Sequence, residues 1–285
     1  MKTIGIIGTG LIGGSMAIDL KRRGYASRVL GVEKESLNAS AALQMGIIDE
    51  SVSLEECARR ADIVIISVPV SAACTILPRV LNIFACQSER KQIVMDTCST
   101  KGGIVLAAAG HQMSRRFVAS HPMAGTEYSG PWAAQPSLFD GRACIIANPQ
   151  DSDPDAVKEV ERLYDRLNMR VTEMDAAAHD VHTAYVSHIS HITSFALALT
   201  VLDKEKDEKH IFDLASGGFA STVRLAKSSA DMWVPILEEN KENVLHVIDT
   251  YINKMQQFRD AINDGDASAI RSLIHESNKI KRILR

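Results

Sequence analysis

The stretch IGIIGTGLIGG, residues 4–14, limits the fold more than any other part of the 285-residue chain. A short apolar run with strand character leads straight into Gly8-Thr9-Gly10-Leu11-Ile12-Gly13, and a helical pattern follows to Gly24. A strand that ends in Gly-x-Gly-x-x-Gly and continues as a helix begins a nucleotide-binding βαβ unit. Gly8 makes the tight turn, Gly10 lets backbone approach a pyrophosphate, and Gly13 lets helix lie close on strand. Leu11 and Ile12 open the helix, whose unpaired N–H groups and positive dipole end face the phosphates. Glu33 lies 20 residues beyond Gly13, at the end of the second strand, where an acid binds a ribose 2′-hydroxyl. A carboxylate there repels a 2′-phosphate, so the expected cofactor is NAD rather than NADP, although adjacent Lys34 pulls weakly the other way.

The same alternation continues along the first half. Candidate strands lie at 3–8, 28–33, 63–68, 92–96, 117–120, 143–147 and 169–174, with helices at 11–23, 36–45, 71–84 and 154–167. The strands are apolar without polar alternation, which indicates a sheet covered on both faces; the repeat predicts an α/β, doubly wound parallel sheet. From Asp175, a candidate N-cap, no strand pattern recurs. Helices are expected at 176–202, 207–214, 219–228, 231–263 and 266–283. The chain is therefore divided at 174/175 into a Rossmann-type dinucleotide-binding domain (1–174) and an all-helical domain (175–285), whose long helices suit packing against a second copy.

Composition removes several classes of function. A net charge of −3 lacks the basic stripe of a nucleic-acid binder. Five cysteines without a Cys-x-x-Cys give neither a disulfide framework nor a zinc knuckle, which fits reduced thiols in a cytoplasmic compartment. No charged n-region with a cleavage site opens the chain, and no apolar run is expected to approach the roughly 20 residues that span a bilayer. A cytoplasmic protein without membrane partners is expected.

In open α/β sheets the ligand crevice lies beyond the carboxyl ends of the strands. Val68-Pro69 ends the third strand there, and the loop carrying Ser99 and Lys101 ends the fourth; Ser99 can equally cap the helix that follows. His121, in SHPMAGTEYSG (120–130), emerges from the next strand end, and Pro122 biases it to extended backbone. A neutral imidazole can take a proton from an alcohol while hydride leaves the carbon, which is the need of NAD-dependent alcohol oxidation. Four histidines lie on helix 176–202. At about 100° per residue, His179 and His182 point opposite to His188 and His191, so the four cannot share one metal. His188 and His191 at i, i+3 could supply two ligands if a separate Glu or Asp joined them, but a metal is not the expected reading. Ser187, His188 and His191 are read as a polar pocket wall. Arg224, in GGFASTVRLAKSSADMW (217–233), is either a carboxylate clamp or an ordinary surface arginine.

Taken together, these segments resemble the prephenate/arogenate dehydrogenase family of tyrosine biosynthesis. The matching pieces are Gly8-x-Gly10-x-x-Gly13, Asp96-x-x-Ser99-x-Lys101, His121-Pro-Met-Ala-Gly125-Thr126-Glu127, Ser187-His188-Ile189-Ser190-His191, and Gly218-Phe219 followed by Arg224 and Trp233. The resemblance implies a Rossmann-type domain followed by a helical dimerisation domain, hence a homodimer. It implies NAD-dependent oxidative decarboxylation of prephenate to 4-hydroxyphenylpyruvate, with arogenate or dual specificity as the alternative. His121 would accept the hydroxyl proton, and Ser99 would bond the hydroxyl or orient His121. Arg224 would hold the side-chain carboxylate, Ser187 and His191 would contact the ring end, and Thr126, Glu127 and Trp233 would shape the pocket.

Two positions depart from the family pattern: Ser190 replaces a frequent proline, and Ser221 replaces an acid that some relatives carry three residues before the arginine. An acid there would favour the amine of arogenate. No regulatory or mutase domain is expected after residue 285, so tyrosine feedback would act at the active site. A β-hydroxyacid dehydrogenase, the rival enzyme reading, uses a lysine on the long helix, and 176–202 contains none. A non-catalytic NAD-sensing protein would need the glycine loop but neither His121 nor Arg224.

Overall fold

The computed structural model describes residues 1–207 and 211–283. In chain order the elements are β1 (Lys2–Ile7), α1 (Leu11–Arg22), β2 (Ala26–Val32), α2 (Ser36–Gln44), β3 (Glu50–Ser51), α3 (Leu54–Arg60), β4 (Ile63–Ile66), α4 (Val70–Ala85), β5 (Ile93–Asp96), α5 (Gly102–Ala108), β6 (Phe117–Pro122), β7 (Ala143–Ala147), α6 (Pro154–Arg166) and β8 (Arg170–Met174). The helical part follows: α7 (Ala176–Thr183), a π-helical turn (Ala184–His188), α8 (Ile189–Asp207), α9 (Gly217–Thr222), α10 (Ala230–Glu239), α11 (Lys241–Asn263) and α12 (Ala267–Ser277).

The sheet runs β3-β2-β1-β4-β5-β6-β7-β8, and every neighbouring pair is parallel except β6–β7. This is the doubly wound α/β sheet expected from the sequence, with one antiparallel pairing that needs no crossover helix. Alternate strand residues feed two cores. Ile4, Ile6, Ile63, Ile65 and Met95 pack with Met16 and Leu20 of α1 and Leu163 and Tyr164 of α6. Ile7, Val64, Ile66 and Val94 pack with Leu77, Val80 and Phe84 of α4 and Ile104 of α5. Burial on both faces is why these strands carry no polar alternation.

The long loop between β6 and β7 is moored on α1. Gln135 N–H donates to Ser15 Oγ (3.0 Å), Ser137 N–H donates to Asp19 Oδ2 (2.9 Å), and Ala134 stands where a side chain on Gly14 would have to go.

The structure departs from the sequence reading at several elements. Two-residue β3 and α3 fall where no element was expected, whereas α5 starts at Gly102, where a helix was expected to follow Ser99; α3 is started by Ser53, whose hydroxyl accepts from Glu56 N–H. Strand β6 continues through His121 and Pro122, paired with Ile145 and Cys144, so the SHPMAGTEYSG segment starts as strand. Asp175 caps α7 as predicted, accepting from Ala177 and Ala178 N–H. The single helix expected at 231–263 breaks at Asn240, whose side chain turns inward to the Asp180 carbonyl and His188. Of the helix expected at 207–214, residues 208–210 lie outside the described residues, and Phe212–Leu214 is one 3-10 turn. Contrary to the expectation that no apolar run approaches a membrane span, the helical run Ala176–Lys206 is long enough and, on average, apolar enough to cross one. The same run buries His179, Asp180 and His188.

Two compact units divide at 240/241. Helices α7 to α10 thus belong to the unit that contains the sheet. In the other unit, α11 and α12 pair, and α11 exposes Tyr251, Ile252 and Met255.

Candidate active site

The glycine loop has the shape a dinucleotide requires. Gly8 has φ +91°, and a Cβ there would overlap the Ser67 carbonyl and Val68; one on Gly13 would overlap the Gly8 carbonyl oxygen. Gly10 differs, since the nearest atom to its missing Cβ is Gly130 N at 3.9 Å, leaving an open side for a ligand. Gly10 is also the N-cap of α1 and supplies no side-chain acceptor, so the first-turn N–H groups, those of Leu11 and Ile12 among them, are available to an anion. Glu33 lies beside this loop, its Oε2 accepting from Thr9 N–H (2.9 Å) and from the Thr9 hydroxyl (2.8 Å). Val68 is half-buried and Pro69 is the exposed N-cap of α4, both at the carboxyl end of β4. These residues fit NAD.

His121 sits at the same end of the sheet, and a hydrogen-bonded chain fixes its tautomer. His179 Nδ1 lies 2.8 Å from Asp180 Oδ1, and His121 Nδ1 lies 2.9 Å from His179 Nε2. Burial pushes the Asp180 carboxyl up, but bonds from His179 and from the Gly102 and Lys101 N–H groups outweigh it, and it stays below its usual value. An ionised carboxylate only accepts, so His179 donates from Nδ1 and accepts at Nε2. His121 must then donate from Nδ1, which leaves the lone pair on its Nε2. Burial, together with neighbouring His179, Lys101 and His188, holds the His121 pKa well below the ordinary histidine value. The imidazole is therefore neutral at pH 7, as a proton acceptor must be.

Sequence reading missed His179, Asp180 and Asn240. The adjacent His-Asp pair was visible; a uniform helical phase assigned it to the wrong face. The π-helical turn at Ala184–His188 holds an extra residue, which sets the phase back by roughly the 100° of one residue. His179 and His188 consequently reach one polar cluster, in which the Asn240 amide donates to the Asp180 carbonyl (2.7 Å) and to His188 Nδ1 (3.2 Å). Burial lowers the His188 pKa to about 4.

Lys101 does not face the crevice. Its side chain is fully buried, bonded to the Asp96 carboxylate and to the Ser120 carbonyl (2.6 Å). Asp96 also accepts from Ser120 N–H and Cys98 N–H, both at 2.9 Å, so the network ties β5 to β6 directly before His121. Ser99 is half-buried and is not the cap of α5: Lys101 occupies the N-cap position, and Asp180 receives the backbone N–H groups of Lys101 and Gly102.

The remaining candidates lie near one another. His191 stacks on Trp233 with ring centroids 3.7 Å apart, and its Nδ1 donates to the Ser187 carbonyl (3.1 Å), so its Nε2 is an acceptor. Burial lowers the His191 pKa, and Arg224 adds to the effect. Trp233 is buried, and its indole N–H has no partner among the described residues. Arg224 meets Glu127 at 3.5 Å. Thr126 is half-buried, its hydroxyl accepting from Tyr128 N–H. Within SHPMAGTEYSG, Gly130 takes a left-handed backbone, at φ +80°, and Gly125 does not.

A dinucleotide loop and a neutral imidazole opening at one end of a parallel sheet are what an NAD-dependent dehydrogenase consists of, and this chain is one. Residues 16–173 match the family model described as prephenate dehydrogenase, nucleotide-binding domain, and residues 175–276 match prephenate dehydrogenase, dimerization domain. The chain belongs to the prephenate dehydrogenase family. It is 33% identical to a prephenate dehydrogenase of Bacillus subtilis over 93% of this chain and 71% of that protein. It is 28% identical to a cyclohexadienyl dehydrogenase of Zymomonas mobilis over 100% of this chain and 96% of the relative. A crystal structure of the Aquifex aeolicus prephenate dehydrogenase, in complex with hydroxyphenyl propionate and NAD+, superposes with a TM-score of 0.86 at 30% identity, covering 99% of this chain and 98% of that one.

Proposed function

We propose that the chain oxidatively decarboxylates prephenate to 4-hydroxyphenylpyruvate, with His121 as the proton acceptor. The observation that carries this reading is the Asp180–His179–His121 chain, which leaves a neutral imidazole with its Nε2 lone pair directed away from its partner His179. Bound NAD supplies the hydride acceptor. His121 Nε2 takes the proton of the 4-hydroxyl as C4 loses hydride, and the developing imidazolium is stabilised through His179 by the Asp180 carboxylate. As the ring carboxylate leaves as CO₂, its electron pair passes into the ring and makes it aromatic. His121 then returns the proton to the phenolate oxygen.

Ser99, with no protein partner among the described residues, bonds the substrate hydroxyl. Arg224 binds the side-chain carboxylate, a charge-assisted contact that replaces its loose pairing with Glu127. His191, Ser187 and Trp233 form the wall for the ring end, and the Trp233 indole N–H gains an acceptor there. Thr126 and Glu127 close the side of the pocket. Gly8, Gly10, Leu11, Ile12, Gly13, Glu33, Val68 and Pro69 hold the cofactor. Ser221, whose hydroxyl donates to the Gly218 carbonyl, adds no acid of its own near Arg224, so Glu127 is the carboxylate paired with that guanidinium and the choice between prephenate and arogenate rests on the assay below. The functional boundary falls at 174/175, the helical part mediates a homodimer, and the enzyme works in the cytoplasm.

A spectrophotometric assay offering prephenate and arogenate separately with NAD tests the substrate; a preference for arogenate overturns that choice. His121→Asn lowers kcat by about 10²–10⁴ while NAD binding persists; unchanged turnover removes His121 from the mechanism. Because the His121 pKa lies well below 6.5, the base stays neutral on acidification. The acid limb of kcat/KM therefore lies below pH 6.5, where His121 itself protonates.

A further inference from the structure

Glu33 is usually the end of an argument about cofactor choice, yet here its carboxylate is not free to choose its own position. Thr9, between the first two glycines of the loop, is fully buried and gives two hydrogen bonds to one oxygen, Glu33 Oε2, from its N–H (2.9 Å) and its hydroxyl (2.8 Å). Among the described residues, the other oxygen, Oε1, receives only Lys34 N–H, at 3.2 Å. A carboxylate has about four lone-pair positions and no proton to give. Thr9 fills both positions on Oε2 and Lys34 fills one on Oε1, so one acceptor position remains, on the oxygen that Thr9 does not touch.

We propose that Thr9 is a specificity-positioning residue: by clamping Oε2 it presents Oε1 as a single fixed acceptor for the ribose 2′-hydroxyl of NAD. This rests on the reading of Glu33 as the ribose ligand. A 2′-hydroxyl can donate to that position, whereas an ionised 2′-phosphate has only acceptors to offer. A clamped carboxylate also cannot swing aside to let the phosphate reach Lys34, so the clamp holds both the preference for NAD and the rejection of NADP. The hydroxyl is the separable part, because the Thr9 N–H belongs to any residue at this position.

The test measures dissociation constants of NADH and NADPH by nicotinamide fluorescence for wild type, Thr9→Val, Thr9→Ser, Glu33→Ala and the Thr9→Val/Glu33→Ala double variant. Valine matches threonine in shape, so the buried site stays filled, and Tm checks the fold. Thr9→Val weakens NADH by about three- to tenfold, the net effect of one hydrogen bond, and leaves NADPH unchanged or tighter. Thr9→Ser restores the NADH affinity, and in the Glu33→Ala background Thr9→Val changes nothing further. If Thr9→Val binds NADH like wild type while Glu33→Ala binds it weakly, the clamp is wrong and the reading of Glu33 stands. Equal weakening of both dinucleotides, or an undiminished Thr9→Val effect without Glu33, also overturns the clamp. Full NADH affinity in Glu33→Ala removes the reading of Glu33 and the clamp with it.

Discussion

Lys101 and Asp96 form an ion pair in which both side chains are fully buried, whereas Arg224 and Glu127, 53% and 19% exposed, meet at only 3.5 Å. The first pair is enclosed by the Ser120 carbonyl and by N–H groups of Cys98 and Ser120, so neither charge can leave without stranding the other. The second pair has water to fall back on. One charge pair ties together the strand ends before His121; the other is held weakly enough that, in the proposed function, Arg224 exchanges a carboxylate of the protein for one of the substrate. Burial, more than charge, separates scaffold from binding group.

Three substitutions try this contrast. Lys101→Met leaves Asp96 charged and buried and lowers the unfolding free energy by about 3–5 kcal/mol, measured by denaturant titration; a loss under about 1 kcal/mol would mean the pair behaves like a surface bridge. Arg224→Ala forfeits a charge-assisted contact of about 1.5–3 kcal/mol, raising the substrate KM roughly tenfold or more with stability near wild type. An effect confined to kcat contradicts the clamp. Glu127→Gln shifts stability by less than about 1 kcal/mol, and a larger change in the same titration would show that this pair is structural.

The sheet was legible because its signal is local. Ile63–Ile66 and Ile93–Asp96 are apolar runs whose both faces are covered, and the Gly8–Gly13 spacing is set by sterics within one turn. The helical part was less legible because its sites depend on phase accumulated over a long run. One π-helical turn at Ala184–His188 undid an argument based on uniform rotation and hid His179 and Asp180. Lys101 was misplaced for another reason: nothing in its neighbours along the chain shows that Asp96 and Ser120 enclose it. Asn240 broke a continuous apolar period because its side chain bonds inward to a helix 60 residues away. Glu33, by contrast, was expected from spacing alone at the end of the second strand and stands there beside the glycine loop, but its partner Thr9 was seen only as a spacer between glycines.

The moorings of the β6–β7 loop bear on how such an enzyme can be redesigned. Ser15 and Asp19 lie on the buried face of α1, and their side chains accept the N–H groups of Gln135 and Ser137, far along the chain. Grafting β1 and α1 from another dehydrogenase to change the cofactor would remove those acceptors and release the loop that carries Thr126 and Glu127. Cofactor helix and substrate loop are in this respect one transplantable part, and residues 134–137 would have to travel with the glycine loop.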